Sequence, residues 1–190
     1  MSDKENSAIK VAKYLLEIKA VKLQVNKPFK WASGWNSPIY CDNRKTLSYP
    51  QVRDYLRDCF VNIIKEKYPN ADIIIGVATG GIALAALVAQ ELNLPLCYVR
   101  AKAKGHGLTN TIEGEISRGN NAVVIEDLIS TGGSSLNAVT SLRGAKCNVL
   151  GMLAIFSYGF KIAEDNFINN SCDLDILSDY NTLIEQAEKM

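Results

Sequence analysis

The sequence predicts an α/β protein, a parallel sheet with helices on both of its faces. Three observations carry that expectation. Short runs of apolar, largely β-branched residues at 73–77, 96–100, 122–126 and 148–156 read as strands buried on both sides. Helical patterns at 82–92 and 135–143 lie between them, and strand-helix-strand repetition builds a parallel sheet. Two of the strands run into loops of glycine and hydroxyl residues, at 78–81 and 130–134. Ligands of such sheets bind beyond the carboxyl ends of the strands.

In chain order, residues 7–19 set Ile9, Ala12, Leu16 and Lys19 at helical spacing and predict an amphipathic helix. Between Phe29 and Arg44, Gly34 and the Ser37-Pro38 pair mark turns, and residues 39–41 form a short strand. Residues 49–67 predict a second helix with Val52, Leu56, Cys59, Phe60 and Ile63 on one face. Ser48 is placed to cap it, and Pro50 suits its first turn. Gly144 stands as the stop of the helix at 135–143. A helix near 162–167, a strand at 174–177 and a last helix from Tyr180 complete the pattern. No repeat, linker or low-complexity tract interrupts it, so residues 1–190 are expected to form one domain.

Composition narrows the function classes. With 190 residues, 47% hydrophobic and 22% charged, the chain can bury a proper core. A net charge of +1 creates no field to gather nucleic acid or an anionic membrane, and neither is expected as a partner. No apolar run approaches the roughly 20 residues of a membrane span. The start, Met-Ser-Asp-Lys-Glu-Asn, lacks the basic and apolar regions of a secretory signal. The five cysteines are scattered and never form a C-x-x-C pair, as expected of reduced thiols in the cytoplasm. His106 is the only histidine, which argues against a zinc site.

The most informative stretch is 122–135. A buried strand ends in two adjacent acids, Glu126 and Asp127, and Ser130-Thr131-Gly132-Gly133-Ser134 then leads into a helix. Backbone N–H groups and the positive end of the helix dipole make such a loop a phosphate site. Acids beside a bare phosphate would repel it, so they must face neutral hydroxyls or a metal ion carried by the ligand. A ribose phosphate offers hydroxyls and phosphate on one small molecule. The loop is no P-loop, because no Gly-Lys-Ser/Thr follows, and the chain has no G-x-G-x-x-G.

A second feature is the stretch 100–114. Arg100, Lys102, Lys104 and His106 recur at every second residue, so an extended chain presents all four on one side. Glycines at 105, 107, 114 and 119 allow that arm to move. One reading is a solvated hairpin whose lysines discourage edge pairing. Its place between two phosphate-type loops favours the other, a cationic flap that neutralises a departing diphosphate. Thr79-Gly80-Gly81 is either a tight strand-to-helix turn or a ligand contact. Trp31, Trp35 and Tyr40 read as packing residues set among Ser33, Asn36, Ser37, Asp42, Asn43 and Arg44.

Residues 123–134 resemble the phosphoribosyl-diphosphate motif of the type I phosphoribosyltransferases. Within that family, residues 29–44 and 98–107 are similar to the orotate-specific members, and the likeness extends through 76–82 and 151–159. The resemblance implies a parallel-sheet core with a small hood, formed by the N-terminal segment and part of the C-terminal region. It implies transfer of ribose 5-phosphate from 5-phospho-α-D-ribose 1-diphosphate to orotate, a step of pyrimidine biosynthesis that gives orotidine 5′-phosphate and diphosphate. Mg²⁺, held mainly by the substrate, is the implied cofactor, and a homodimer with a flap shared between subunits is the implied assembly.

By the same resemblance, Thr131, Gly132, Gly133 and Ser134 cradle the 5′-phosphate, with Leu128, Ile129 and Ser130 in the same binding motif. Glu126 and Asp127 face the ribose hydroxyls, while Arg100, Lys102, Lys104 and His106 bind diphosphate. Lys104, His106 and Asp127 are the implied catalytic residues, and Ser130 approaches orotate. Three positions depart from the usual pattern: Ala32, Gly80 and Ala101 stand where lysines are common, and Arg44 and Lys102 are the candidates to replace that charge. Two other functions compete. A transferase acting on a purine or uracil is disfavoured by the segment 31–44. A ligand-sensing regulator is disfavoured by near-neutral charge and by the intact Lys104 and His106.

Overall fold

The buried β-branched runs become neighbouring strands, because a segment apolar on both sides can hide only in the middle of a layered structure. A computed structural model describes residues 3–23, 29–30, 36–37, 39–100 and 111–190. In chain order the elements are α1 (Asp3–Glu17), β1 (Val21–Leu23), β2 (Phe29–Lys30), β3 (Asn36–Ser37), β4 (Ile39–Cys41), a 3-10 helix (Asn43–Ser48), α2 (Pro50–Lys67), β5 (Ile73–Val77), α3 (Gly80–Leu92), β6 (Leu96–Val99), β7 (Ile112–Glu113), β8 (Asn121–Ile129), α4 (Gly133–Gly144), β9 (Asn148–Ser157), α5 (Lys161–Asn169), β10 (Leu174–Asp179) and α6 (Tyr180–Ala187).

The main sheet runs β10-β9-β8-β5-β6-β7. All neighbours are parallel except β7, which lies antiparallel on β6. From β5 the chain steps through α3 to β6; from β8 it steps the opposite way through α4 to β9 and through α5 to β10. Crossovers of one hand that travel in opposite directions lay their helices on opposite faces. Accordingly α1, α2, α3 and α6 bury Leu15, Leu56, Phe60, Leu84 and Leu183 against Ile74, Val123 and Ile125. Helices α4 and α5 bury Leu136, Leu142 and Phe167 against Ile73, Ile75, Val124 and Met152 on the other face. The strand order reverses between β5 and β8, which opens a crevice at their carboxyl ends.

The N-terminal helix α1 packs on α6 and β10, and β1 pairs antiparallel with β4, so the two ends of the chain meet as the hood expectation requires. Among the described residues no helix is long and apolar enough to cross a membrane.

Several local expectations need correction. Strand β8 does not end at the acids but continues through them to Ile129. Ser48 closes the 3-10 helix instead of capping α2; the N-cap is Tyr49, whose side chain makes no capping bond. The buried stripe of α1 is Val11, Ala12 and Leu15, continued by Ile18 just past its end, so of the expected face only Ala12 is buried, and Lys19 also lies past the helix end with φ +55°. Gly144 is the last residue of α4, not its stop. Strands β1 and β7, only 3 and 2 residues long, had no sequence signal to find.

Candidate active site

Because β8 continues through Glu126 and Asp127, the two carboxylates leave the strand in different directions. Glu126 is 6% exposed. Its Oε2 accepts from Ser135 Oγ at 2.9 Å, and its Oε1 accepts from the backbone N–H of Asp127 at 3.0 Å. Burial, and after it the neighbouring Asp127 carboxylate, pushes the Glu126 carboxyl up to about 8. Burial therefore favours the protonated form of Glu126.

Asp127 is half-buried and turns toward the loop after β5. A Cβ on Gly80 would stand 2.2 Å from Asp127 Cγ and 2.3 Å from both carboxylate oxygens, so the carboxylate lies against the bare α-carbon of Gly80. A side chain at position 80 would therefore require the Asp127 carboxylate to move. The backbone oxygen of Asp127 accepts from Asn43 Nδ2 at 2.6 Å.

The second wall of the crevice is the start of α4. Gly132 is its N-cap in the left-handed region, φ +80°, where a Cβ would also press on the Phe167 ring at 2.8 Å. No side chain caps this helix. Its first N–H groups lack intrahelical acceptors, and the positive end of the dipole is left for an anion. Helix α5 steadies the loop: Asn166 Nδ2 donates to the Thr131 carbonyl at 2.9 Å.

These walls enclose a cavity of about 320 Å³. Ala78, Thr79 and Gly80 line one side, Glu126, Asp127 and Leu128 the floor, and Ser130, Ser134, Asn137 and Ser141 the side of α4. Arg100 and Thr111 stand at its edge. Arg100 ends the β6 rim, its Nη1 3.2 Å from Glu113 Oε1 and its backbone N–H donating to the Thr111 carbonyl.

Of the residues singled out in the sequence, Arg100, Glu126, Asp127, Leu128, Ser130 and Ser134 thus meet on one cavity. Thr131, Gly132 and Gly133 supply the turn beside it. Ile129 is fully buried, its side chain in the core under α4 and its carbonyl accepting from Tyr158 N–H. Arg44 is not among the lining residues; its Nε is 2.7 Å from Asp42 Oδ1 and the pair is solvent-exposed. Lys102, Lys104 and His106 lie outside the described residues, as do Ala32 and Ala101.

Sequence reasoning passed over Asn137 and Ser141, although Ser134, Asn137 and Ser141 form a polar stripe at helical spacing that was open to view. It also passed over the role of Asn43, whose partner lies 84 residues away and leaves no local signal.

The phosphoribosyl transferase domain family matches residues 45–185. The orotate phosphoribosyltransferase of Cytophaga hutchinsonii is 55% identical over 182 residues, which cover 96% of this chain and 87% of that one. The chain belongs to the orotate phosphoribosyltransferases. A second member, from Staphylococcus aureus, is 54% identical over 95% of this chain and 89% of its own. The solved orotate phosphoribosyltransferase of Aeropyrum pernix superposes with a TM-score of 0.84 at 29% identity, covering 95% of this chain and 99% of that one. In this phosphoribosyltransferase, then, the type I core carries its acids and its phosphate-type loop at the reversal point of the sheet.

Proposed function

We propose that this orotate phosphoribosyltransferase transfers ribose 5-phosphate from 5-phospho-α-D-ribose 1-diphosphate to orotate in the crevice between the ends of β5 and β8. The observation that carries the reading is one cavity that holds Asp127, Glu126 and the uncapped start of α4 together. In this reading the turn 131–134 takes the 5′-phosphate on backbone N–H groups. Asp127 and Glu126 take the ribose hydroxyls, Asp127 from the cavity side of the strand and Glu126 from its seat on Ser135. Ser130 takes orotate, and Arg44 takes its carboxylate only by exchanging Asp42 for the ligand.

The bond from the anomeric carbon to diphosphate breaks with its electron pair leaving on diphosphate. A lone pair of the orotate ring nitrogen forms the new bond, and the proton that nitrogen gives up passes to the departing diphosphate, directly or through water. Positive charge grows on the sugar ring in between, over the Asp127 carboxylate, while negative charge leaves toward Arg100 and the lysines and His106 of the flap. That sorting of sign stabilises the transition state more than the ground state.

Glu126 and Asp127 are the two carboxyl side chains among the residues that line the cavity. Among the described residues no group of three or more such side chains exists. The donor set suits Mg²⁺ carried by the diphosphate and sugar hydroxyls and completed by water. When bound, the ion neutralises charge on the leaving group. The continuous sheet supports residues 1–190 as one domain, and the five free cysteines support a reducing, cytoplasmic setting. The family resemblance supports a homodimer in which the flap that bears Lys104 and His106 in one subunit closes over the other's cavity.

The test is to mix the protein with Mg²⁺ and the ribose diphosphate and offer orotate, uracil or hypoxanthine in turn, following each base by its absorbance and diphosphate by its release. Orotate alone should be consumed. Consumption of uracil or hypoxanthine in its place would contradict the proposal.

A further inference from the structure

Asn43 is 1% exposed and lies in the 3-10 helix that follows β4, in the same turn as Arg44. Both ends of its amide have a partner. Its Nδ2 donates to the Asp127 carbonyl at 2.6 Å, and its Oδ1 accepts from Cys41 Sγ at 3.0 Å. Burial pushes the Cys41 thiol well up, so it stays protonated and remains a donor. The Asn43 carbonyl in turn accepts from Thr46 Oγ1 at 2.6 Å, which fixes the backbone under the amide. Flipping the amide would set acceptor against acceptor at Asp127 and leave two donors facing each other at Cys41. The contact is therefore a one-way latch between the N-terminal segment and the strand that carries the acids.

Asp127 is held from two directions as a result. Asn43 grips its backbone carbonyl, and the α-carbon of Gly80 sits against its carboxylate. We infer that Asn43 is a positioning residue for the transfer reaction: by fixing the β8 backbone at Asp127 it sets the direction in which that carboxylate meets the sugar. The inference rests on the proposed role of Asp127 at the ribose. It also ties the turn bearing Arg44 to the strand that carries Asp127.

The test is a double-mutant cycle in the full chain. Asn43→Ala, Asp127→Asn and the double variant are assayed for kcat and for KM of each substrate, with thermal midpoints measured alongside. Asn43→Ala should lower kcat/KM for the ribose diphosphate on the order of 10- to 100-fold, as expected when a reacting group is misplaced by a fraction of an ångström to an ångström. In the Asp127→Asn background the same substitution should change it less than about 3-fold, because residues that act through one another are not additive. Equal losses in both backgrounds would make Asn43 a purely structural residue and overturn the inference. If Asn43→Ala is too unstable to assay, Asn43→Ser is read in the same cycle with the same two outcomes. An Asp127→Asn protein with full activity removes Asp127 from the site and overturns both readings, whereas an impaired Asp127→Asn with additive Asn43 losses overturns this one alone.

Discussion

Gly80→Ala puts the geometry of the acid floor under direct strain. The new Cβ would lie 2.2 Å from Asp127 Cγ, where carbon atoms ordinarily rest about 3.5–4.0 Å apart. The shortfall is therefore about 1.3 Å or more. The Asp127 side chain is half-buried and borders the cavity, so it has open space to swing into. Relief by that route keeps the penalty to the fold near the lower end of the roughly 1–3 kcal/mol of overpacking. In a chain of this size each kcal/mol lowers the midpoint by about 2–4 °C. Catalysis does not escape so lightly, because displacing a reacting group by about 1 Å costs on the order of 100-fold. The assay is initial rates over a range of ribose diphosphate at saturating orotate, with thermal unfolding of the same samples. A fall in kcat/KM near 100-fold with a midpoint within several degrees of wild type is expected. Wild-type kcat/KM would refute the reasoning, since Asp127 would then tolerate a different position without consequence.

Three further outcomes follow from the same structure. Glu126 in the folded protein titrates near 8, above its ordinary 4.5, so its contribution to stability is fully present below pH ~4.5 and is lost as the pH rises through about 8. Denaturant midpoints at pH 5, 7 and 9 should show wild type weakening relative to Glu126→Gln across that window, and parallel curves would count against a buried, neutral Glu126. Asp175, buried near the start of β10 at the end of the sheet away from the cavity, pairs with Lys67 Nζ and accepts from Tyr68 Oη at 3.0 Å. Asp175→Ala leaves the Tyr68 hydroxyl without that partner and should cost about 1–3 kcal/mol in chemical denaturation while sparing kcat/KM; an unchanged midpoint would refute the assignment. Lys104→Ala should depress kcat much more than it weakens binding of the ribose diphosphate, because its charge matters most as diphosphate departs. Equal losses in turnover and in calorimetric affinity would deny it a transition-state role.

What the sequence disclosed follows physical lines. Strands β5, β8 and β9 were legible because they are apolar on both faces, and the loops after β5 and β8 because glycine and hydroxyl clusters punctuate a parallel sheet. The end of β8 was misjudged because two adjacent acids look like a strand terminus. The strand continues because Glu126 has Ser135 and the Asp127 N–H as partners, while Asp127 opens onto the cavity. The start of α3 at Gly80 was hidden for a similar reason, since paired glycines read as loop until the close approach to Asp127 shows what a side chain there would displace. Strand alternation already implied different jobs for the two acids, but not which job fell to which. In the fold Glu126 is buried on Ser135 and Asp127 lies against Gly80 and opens onto the cavity, a distinction created by burial and by residues from distant parts of the chain.

The most direct test of the account is a crystal structure of the protein with Mg²⁺ and 5-phospho-α-D-ribose 1-diphosphate bound. The 5′-phosphate should rest on the backbone N–H groups of 131–134 at the start of α4, with the ribose hydroxyls on Asp127 and Glu126 and the diphosphate directed toward Arg100. A sugar held elsewhere, or one whose phosphates contact the two acids while its hydroxyls face α4, would contradict the proposed sorting of charge.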